Sequence, residues 1–161
     1  MTDRLDAPSL HGEPGWRPLQ PPAELAGGPG FVSGESGGHR LRVRYFTDGG
    51  GRVLARVWFG PGCQGPPGHA HGGSIAAVLD EAMGAAAWQA GHPALAARIA
   101  VSFLRPVPLG TVATAEARVV RTEARKVHLA ARLLAGGEVL ARAEGLFVEL
   151  PRERILGMAG G

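Results

Sequence analysis

The sequence predicts an α+β domain, with one strongly curved antiparallel sheet wrapped around a single long helix. Two observations lead there. From about Ile75 to Ala90 the polar residues are only Asp80, Glu81 and Gln89, and a helix that is apolar on nearly every side is buried on most of them. The segments flanking it alternate apolar and polar residues with period two. Their order is two strands, one helix, four strands, and wrapping the sheet around the lone helix is the economical way to bury it.

The elements follow in turn. Leu41 to Phe46 sets Leu41, Val43 and Tyr45 against Arg42 and Arg44, and after the turn at 47–51 the alternation resumes from Arg52 to Phe59. Such a pair is a hairpin. Residues 60–68 hold three prolines and form a loop, and Gly91-His92-Pro93 ends the helix that follows. Ile99 to Leu104 reads as a strand stopped by Arg105-Pro106-Val107-Pro108, and Thr111 to Arg121 as the next. Val127 to Leu134 and Glu138 to Leu150 are joined at Ala135-Gly136-Gly137. Met83, Trp88 and Phe103 read as core.

A chain of 161 residues suffices for one domain with a real core and is short for two. Residues 1–38 form a Pro/Gly-rich arm, 39–151 the domain and 152–161 a tail. The net charge of +3 comes from arginines spread along strand-like segments, with Lys126 the sole lysine. Dispersed charge means a solvated sheet face and argues against nucleic acid as a partner. The longest apolar run is broken by Asp80 and Glu81, so no membrane span is expected. The first residues lack a signal-like apolar stretch, which predicts a cytoplasmic protein. Cys63 is the only cysteine, excluding an internal disulfide and a cysteine metal cluster, and is at most a minor candidate nucleophile in its loop. His39, His69, His71, His92 and His128 lack ligand spacing on a common element, so neither a metal nor a cofactor is expected.

Chemistry concentrates in His71-Gly72-Gly73, which opens the helix behind the loop Gly65-Pro66-Pro67-Gly68, and in Asp80. The glycines allow close approach of a ligand, and the unpaired N–H groups of a helix N-terminus suit a developing oxyanion. Asp80 lies among alanines, where a carboxylate is costly to bury. Its bland alternative is a solvated helix residue, and that of His71 a capping histidine. Glu81 points about 100° away and is expected in a salt bridge or at the rim. An oxyanion donor and a poised carboxylate suggest hydrolysis of an acyl compound. Gly73 and Asp80 share a face but lie about 10 Å apart along the axis, too far to act on one carbonyl, so two antiparallel copies of the helix are needed. Arg105, Arg125 and Lys126 are candidates for the phosphates of a carrier such as coenzyme A, converging at the mouth of the cleft.

These elements, with Val101 to Pro108 and the closing strand Val139 to Val148, resemble the hotdog fold and, more narrowly, the PaaI-like acyl-CoA thioesterases. The resemblance covers roughly residues 41–150. It implies an acyl-CoA substrate, no cofactor, and a homodimer or dimer of dimers with sites at the subunit interface. It implies that the Gly72 N–H meets the thioester carbonyl, that His71 positions it, and that Asp80 is base or nucleophile. Gly73 and Gln64 are expected to touch substrate. Many relatives carry Asn or Gln six residues before the histidine, where this chain has Gly65 with Gln64 one place earlier. Many also carry Ser or Thr at the start of the third strand, where this chain has Ala96 and Ala97. A non-catalytic acyl-CoA-binding hotdog protein is the chief alternative. A hotdog enoyl-CoA hydratase is a weaker one, since no histidine follows Asp80 before His92.

Overall fold

A computed structural model describes residues 8–20, 30–33 and 39–158. Expectations for 1–7, 21–29, 34–38 and 159–161 lie outside the described residues. The element order is β1 (Arg17–Pro18), β2 (Leu41–Thr47), β3 (Val53–Phe59), a 3-10 turn (Pro61–Cys63), α1 (Gly72–Gln89), β4 (Ala94–Phe103), β5 (Val112–Glu123), β6 (Lys126–Ala135), β7 (Glu138–Glu149) and α2 (Arg152–Met158). The strands form one antiparallel sheet in the order β1-β2-β3-β5-β6-β7-β4. The strand that follows the helix therefore crosses to the far edge.

Alternation decides which side chains meet α1. Val53, Ala55 and Val57 of β3 pair in register with Ala117, Ala115 and Ala113 of β5, and all six are buried against the helix. Alanine at three successive inward positions of β5 lets the helix axis come close. Gly145 of β7 does the same: a Cβ there would stand 2.7 Å from Phe147 Cε2 and 2.9 Å from Met83 Sδ. From α1 itself Ile75, Val78, Leu79, Ala82, Met83, Ala86 and Ala87 are buried. Full burial of a Leu, Val or Met side chain is worth about 1.5–3 kcal/mol.

The structure adds contacts at both ends and departs from the sequence reading at one edge. Residues 8–20 of the expected arm lie across the outer face of the sheet. β1 pairs with β2, Trp16 stacks on Phe46 at 5.6 Å, and Arg56 donates to Glu13 (2.7 Å) and to Thr114 Oγ1 (2.7 Å). The outward Leu54 and Trp58 are only 1% and 2% exposed, with Arg42 over the Trp58 ring at 5.6 Å. The expected tail contains α2, anchored by buried Ile155, with Arg152 over the Trp88 ring at 5.8 Å. β4 starts at Ala94 rather than Ile99. Leu95-Ala96-Ala97 carries no alternation because this half of the strand is exposed on both faces.

Candidate active site at the N-terminus of α1

The loop before α1 is built to present the helix end. Gly65 N donates to His69 O, His69 N to Pro66 O, and Gly68 N to the Gln64 side-chain Oε1 (3.0 Å). Gln64, expected to touch substrate, thus spends its carbonyl oxygen on the loop. Ala70 N reaches Val107 O and His71 N reaches Cys63 O, so the residue before the helix is tied from both sides. Gly65 is required for this path, since a Cβ there would lie 2.8 Å from His71 Cα and 3.0 Å from its Cβ. Gly65→Asn, which restores the residue common among relatives, is therefore expected to push His71 out of place. The cost should be about 1–3 kcal/mol, read as a lower denaturation midpoint with no gain in activity.

His71 is the N-cap of α1, and its Nδ1 accepts the Gly73 N–H at 2.8 Å. Two consequences follow. A ring nitrogen that accepts must be bare, so the neutral imidazole carries its proton on Nε2 and has a donor left. The Gly73 N–H is satisfied by His71, so any contact of Gly73 with substrate is left to its other atoms. Gly73 serves by its size, because a Cβ would fall 2.9 Å from His71 Nδ1. Gly72 opens the helix, and its N–H has no partner among the described residues. The ring of Phe103 covers this spot, 3.3 Å from where a Gly72 Cβ would be. Phe103 was expected in the core but is 54% exposed, because it ends an edge strand beside the helix N-terminus. Met83 is fully buried as expected, and Trp88 is half-buried.

Asp80 is half-buried on the side of α1 turned away from the core, level with Ala76, Ala77 and Gly84. Burial, and secondarily the charge of Glu81, holds its carboxyl above the usual carboxylate range. Glu81 makes no salt bridge. It accepts a hydrogen bond from the Tyr45 hydroxyl at 2.8 Å, a contact the sequence reading missed. The signal was present: a hydroxyl on the inward face of β2, beside Leu41 and Val43, needs a buried acceptor. Cys63 is buried, and burial pushes its thiol up, the opposite of what a nucleophile needs.

The three candidate phosphate ligands do not converge within one chain. Arg105 N bonds Leu140 O, and its side chain lies 3.9 Å from Glu138. Lys126 pairs with Val148, and Arg125 O accepts from Glu149 N. The two groups sit at opposite ends of β7, roughly 25 Å apart at ~3.3 Å per residue. The strand order separates them, since it sets the two turns at opposite ends of β7. A depression of about 420 Å³ lined by Arg52, Glu116, Arg118, Arg132 and Arg142 lies on the outer sheet face, away from Asp80. Among the described residues no three His, Cys, Asp or Glu side chains gather as metal ligands, and no helix is long and apolar enough to cross a membrane.

A helix laid against one antiparallel sheet in this strand order is the hotdog fold, and solved structures share it. A thioesterase superfamily protein is 32% identical with a TM-score of 0.65, covering 67% of this chain and 54% of its own. The PaaI protein of E. coli, from the phenylacetic acid degradation operon, is 19% identical with a TM-score of 0.62, covering 69% and 80%. Residues 67–141 match the thioesterase superfamily profile. The acyl-coenzyme A thioesterase THEM4 of Xenopus laevis is 33% identical over 101 residues, 62% of this chain and 46% of that protein. The chain thus has the hotdog fold of these structures and matches the thioesterase superfamily over residues 67–141. It spans about half the length of the curated relatives it matches.

Proposed function

We propose that this protein is an acyl-CoA thioesterase, hydrolysing a thioester to a free acid and coenzyme A. The observation that carries the reading is the free Gly72 N–H at the positive end of α1, with the His71 Nε2 proton beside it and a half-buried carboxylate, Asp80, on the same helix. Gly72 and His71 bind the thioester oxygen and stabilise the charge it acquires. Asp80 takes a proton from a water that attacks the carbonyl carbon, and the tetrahedral intermediate collapses to the free acid and the coenzyme A thiolate. Alternatively, Asp80 attacks that carbon itself, the thiolate leaves, and water hydrolyses the acyl-aspartyl anhydride, releasing the acid and restoring the carboxylate. The relatives named as acyl-coenzyme A thioesterases support this substrate class. The direct test is release of free coenzyme A across short, medium, long and aryl acyl-CoAs. No release with any of them, alongside measurable acyl-CoA binding, would favour a non-catalytic binding protein.

Gly72 and Asp80 are about 12 Å apart along one helix, so each site draws on two chains. β4 supports a twofold assembly. Among the described residues it bonds only β7 and leaves its other edge open, with Leu95, Phe103 and Leu104 between 41% and 54% exposed. An open apolar edge is a pairing surface. Phe103 marks the level of Gly72 along β4, while Met83 packs on Gly145, the partner of Ile99. Asp80 therefore lies near the level of Ala100. Antiparallel pairing of two β4 strands about Val101 and Ser102 would set Gly72 of one chain level with Asp80 of the other.

The same operation brings the end of one chain bearing Arg105 toward the end of the partner bearing Arg125 and Lys126, which reunites the phosphate ligands across the interface. Arg105→Ala, and Arg125→Ala with Lys126→Ala, are expected to raise KM for acyl-CoA while kcat stays near wild type, the pattern of uniform binding lost. The effect should fade with added salt, since screening acts over about 8–10 Å. The matching acyl-pantetheine, which lacks the nucleotide phosphates, should be indifferent. Equal losses on both substrates would remove these residues from the carrier site.

A further inference from the structure

We propose that Glu81, fixed by the Tyr45 hydroxyl, is a positioning residue that acts on the reaction through Asp80, its neighbour on α1, by holding a negative charge at a fixed place next to that residue. The inference rests on the reading of Asp80 as the reacting carboxylate. Three observations converge on it. Two carboxylates follow one another on α1 amid alanines. Only one of them has a partner: Tyr45, 36 residues away on β2, donates to Glu81 Oε1 at 2.8 Å in a part-buried setting. That bond restrains the Glu81 side chain on the β2 side.

Nothing else near the pair offsets the charge. The faces of β3, β5, β6 and β7 that meet α1 are alanine, valine, leucine and phenylalanine, and Ile99 and Val101 face it from β4. From β2 the inward residues are Leu41, Val43 and Tyr45, while Arg44 is bound to Leu10 O of the arm and Arg42 lies over Trp58. Among the described residues there is no buried charged side chain. His71 stands at the helix start and His92 is engaged with Glu149. In the proposed dimer the His71 that approaches Asp80 comes from the second copy, with its Nδ1 already taken by Gly73.

Electrostatics gives the arrangement its purpose. A fixed neighbouring charge of like sign disfavours the ionised carboxylate and makes it a better proton acceptor once it is ionised. Burial first, and then the Glu81 charge, hold the Tyr45 phenol well above the ordinary tyrosine range, so it remains a donor at every working pH.

The test is Glu81→Gln, which keeps an acceptor for Tyr45 and removes only the charge. A merely structural contact predicts wild-type behaviour. The proposal predicts that the acid limb of the pH profile of kcat/KM moves to lower pH and that the plateau rate falls several-fold. The carbon-13 resonance of the Asp80 carboxyl, which needs no turnover, should titrate at lower pH in the same variant. Tyr45→Phe, which frees Glu81 to swing toward water, should move both in the same direction by less. An Asp80 titration midpoint unchanged in folded Glu81→Gln overturns the inference. Full activity in Asp80→Asn would instead overturn the assignment of Asp80, and the resonance would still report on the charge pair.

Discussion

Asp80→Asn is expected to lower kcat by about 10²–10⁴-fold, the usual worth of a positioned general base. Binding of a non-hydrolysable acyl-CoA analogue should survive, because Asn keeps the shape and loses only the proton acceptor. The variant should be no less stable than wild type at neutral pH. The Asp80 carboxyl is held above its ordinary range in the folded chain, so the folded state binds that proton more tightly than the unfolded one. Stability from this group is therefore present at low pH, is lost as pH rises from the unfolded value through the raised folded one, and stays reduced above it. Asn removes that deficit. An Asp80→Asn protein hydrolysing acyl-CoA at the wild-type rate would falsify the mechanism proposed for the site.

A second large effect is expected from mixing two dead proteins. His71→Ala removes the N-cap and the Nε2 donor, and Asp80→Ala removes the carboxylate. If each site joins the helix start of one chain to the Asp80 of another, a heterodimer of these variants holds one intact site and one doubly damaged site. Activity should rise from near zero in either variant to a substantial fraction of wild type as subunits exchange. Exchange is followed independently by mass spectrometry of differently labelled chains. Complete exchange with no recovery would mean that the site lies within one chain.

The residues proposed to carry chemistry were more legible in the sequence than the contacts around them. His71-Gly72-Gly73 and Asp80 stood out because glycines at a helix start and a carboxylate in an alanine-rich helix are costly unless used. The helix itself was plain from composition, and the β5–β6–β7 run from alternation and Gly136-Gly137. What alternation could not give was lateral order. The position of β4 beside β7 follows from packing over the whole sheet, and without it Arg105 was set close to Arg125 and Lys126. Phe103 and the first half of β4 were misread for one reason: an apolar residue on an open edge has the same letters as one in a core. The satisfied Gly73 N–H and the Tyr45 bond to Glu81 are side-chain events, which spacing along the chain does not encode.

The place of β4 also sets an order of assembly. The β5–β6–β7 meander is made of neighbouring hairpins and can form from local contacts, whereas β4 is spelled before it and pairs only with its last strand. Local pairing is fast and pairing that closes a long loop is slow. On the ribosome β4 must wait until β7 has been made, a delay of several seconds at ~5–20 residues per second. During that interval the strand that ends at Phe103 has neither its own sheet nor a second chain to pair with. The N-terminus of α1 is therefore among the last parts of the molecule to acquire its surroundings, and the chain should be most prone to misassociation just before it becomes competent to act.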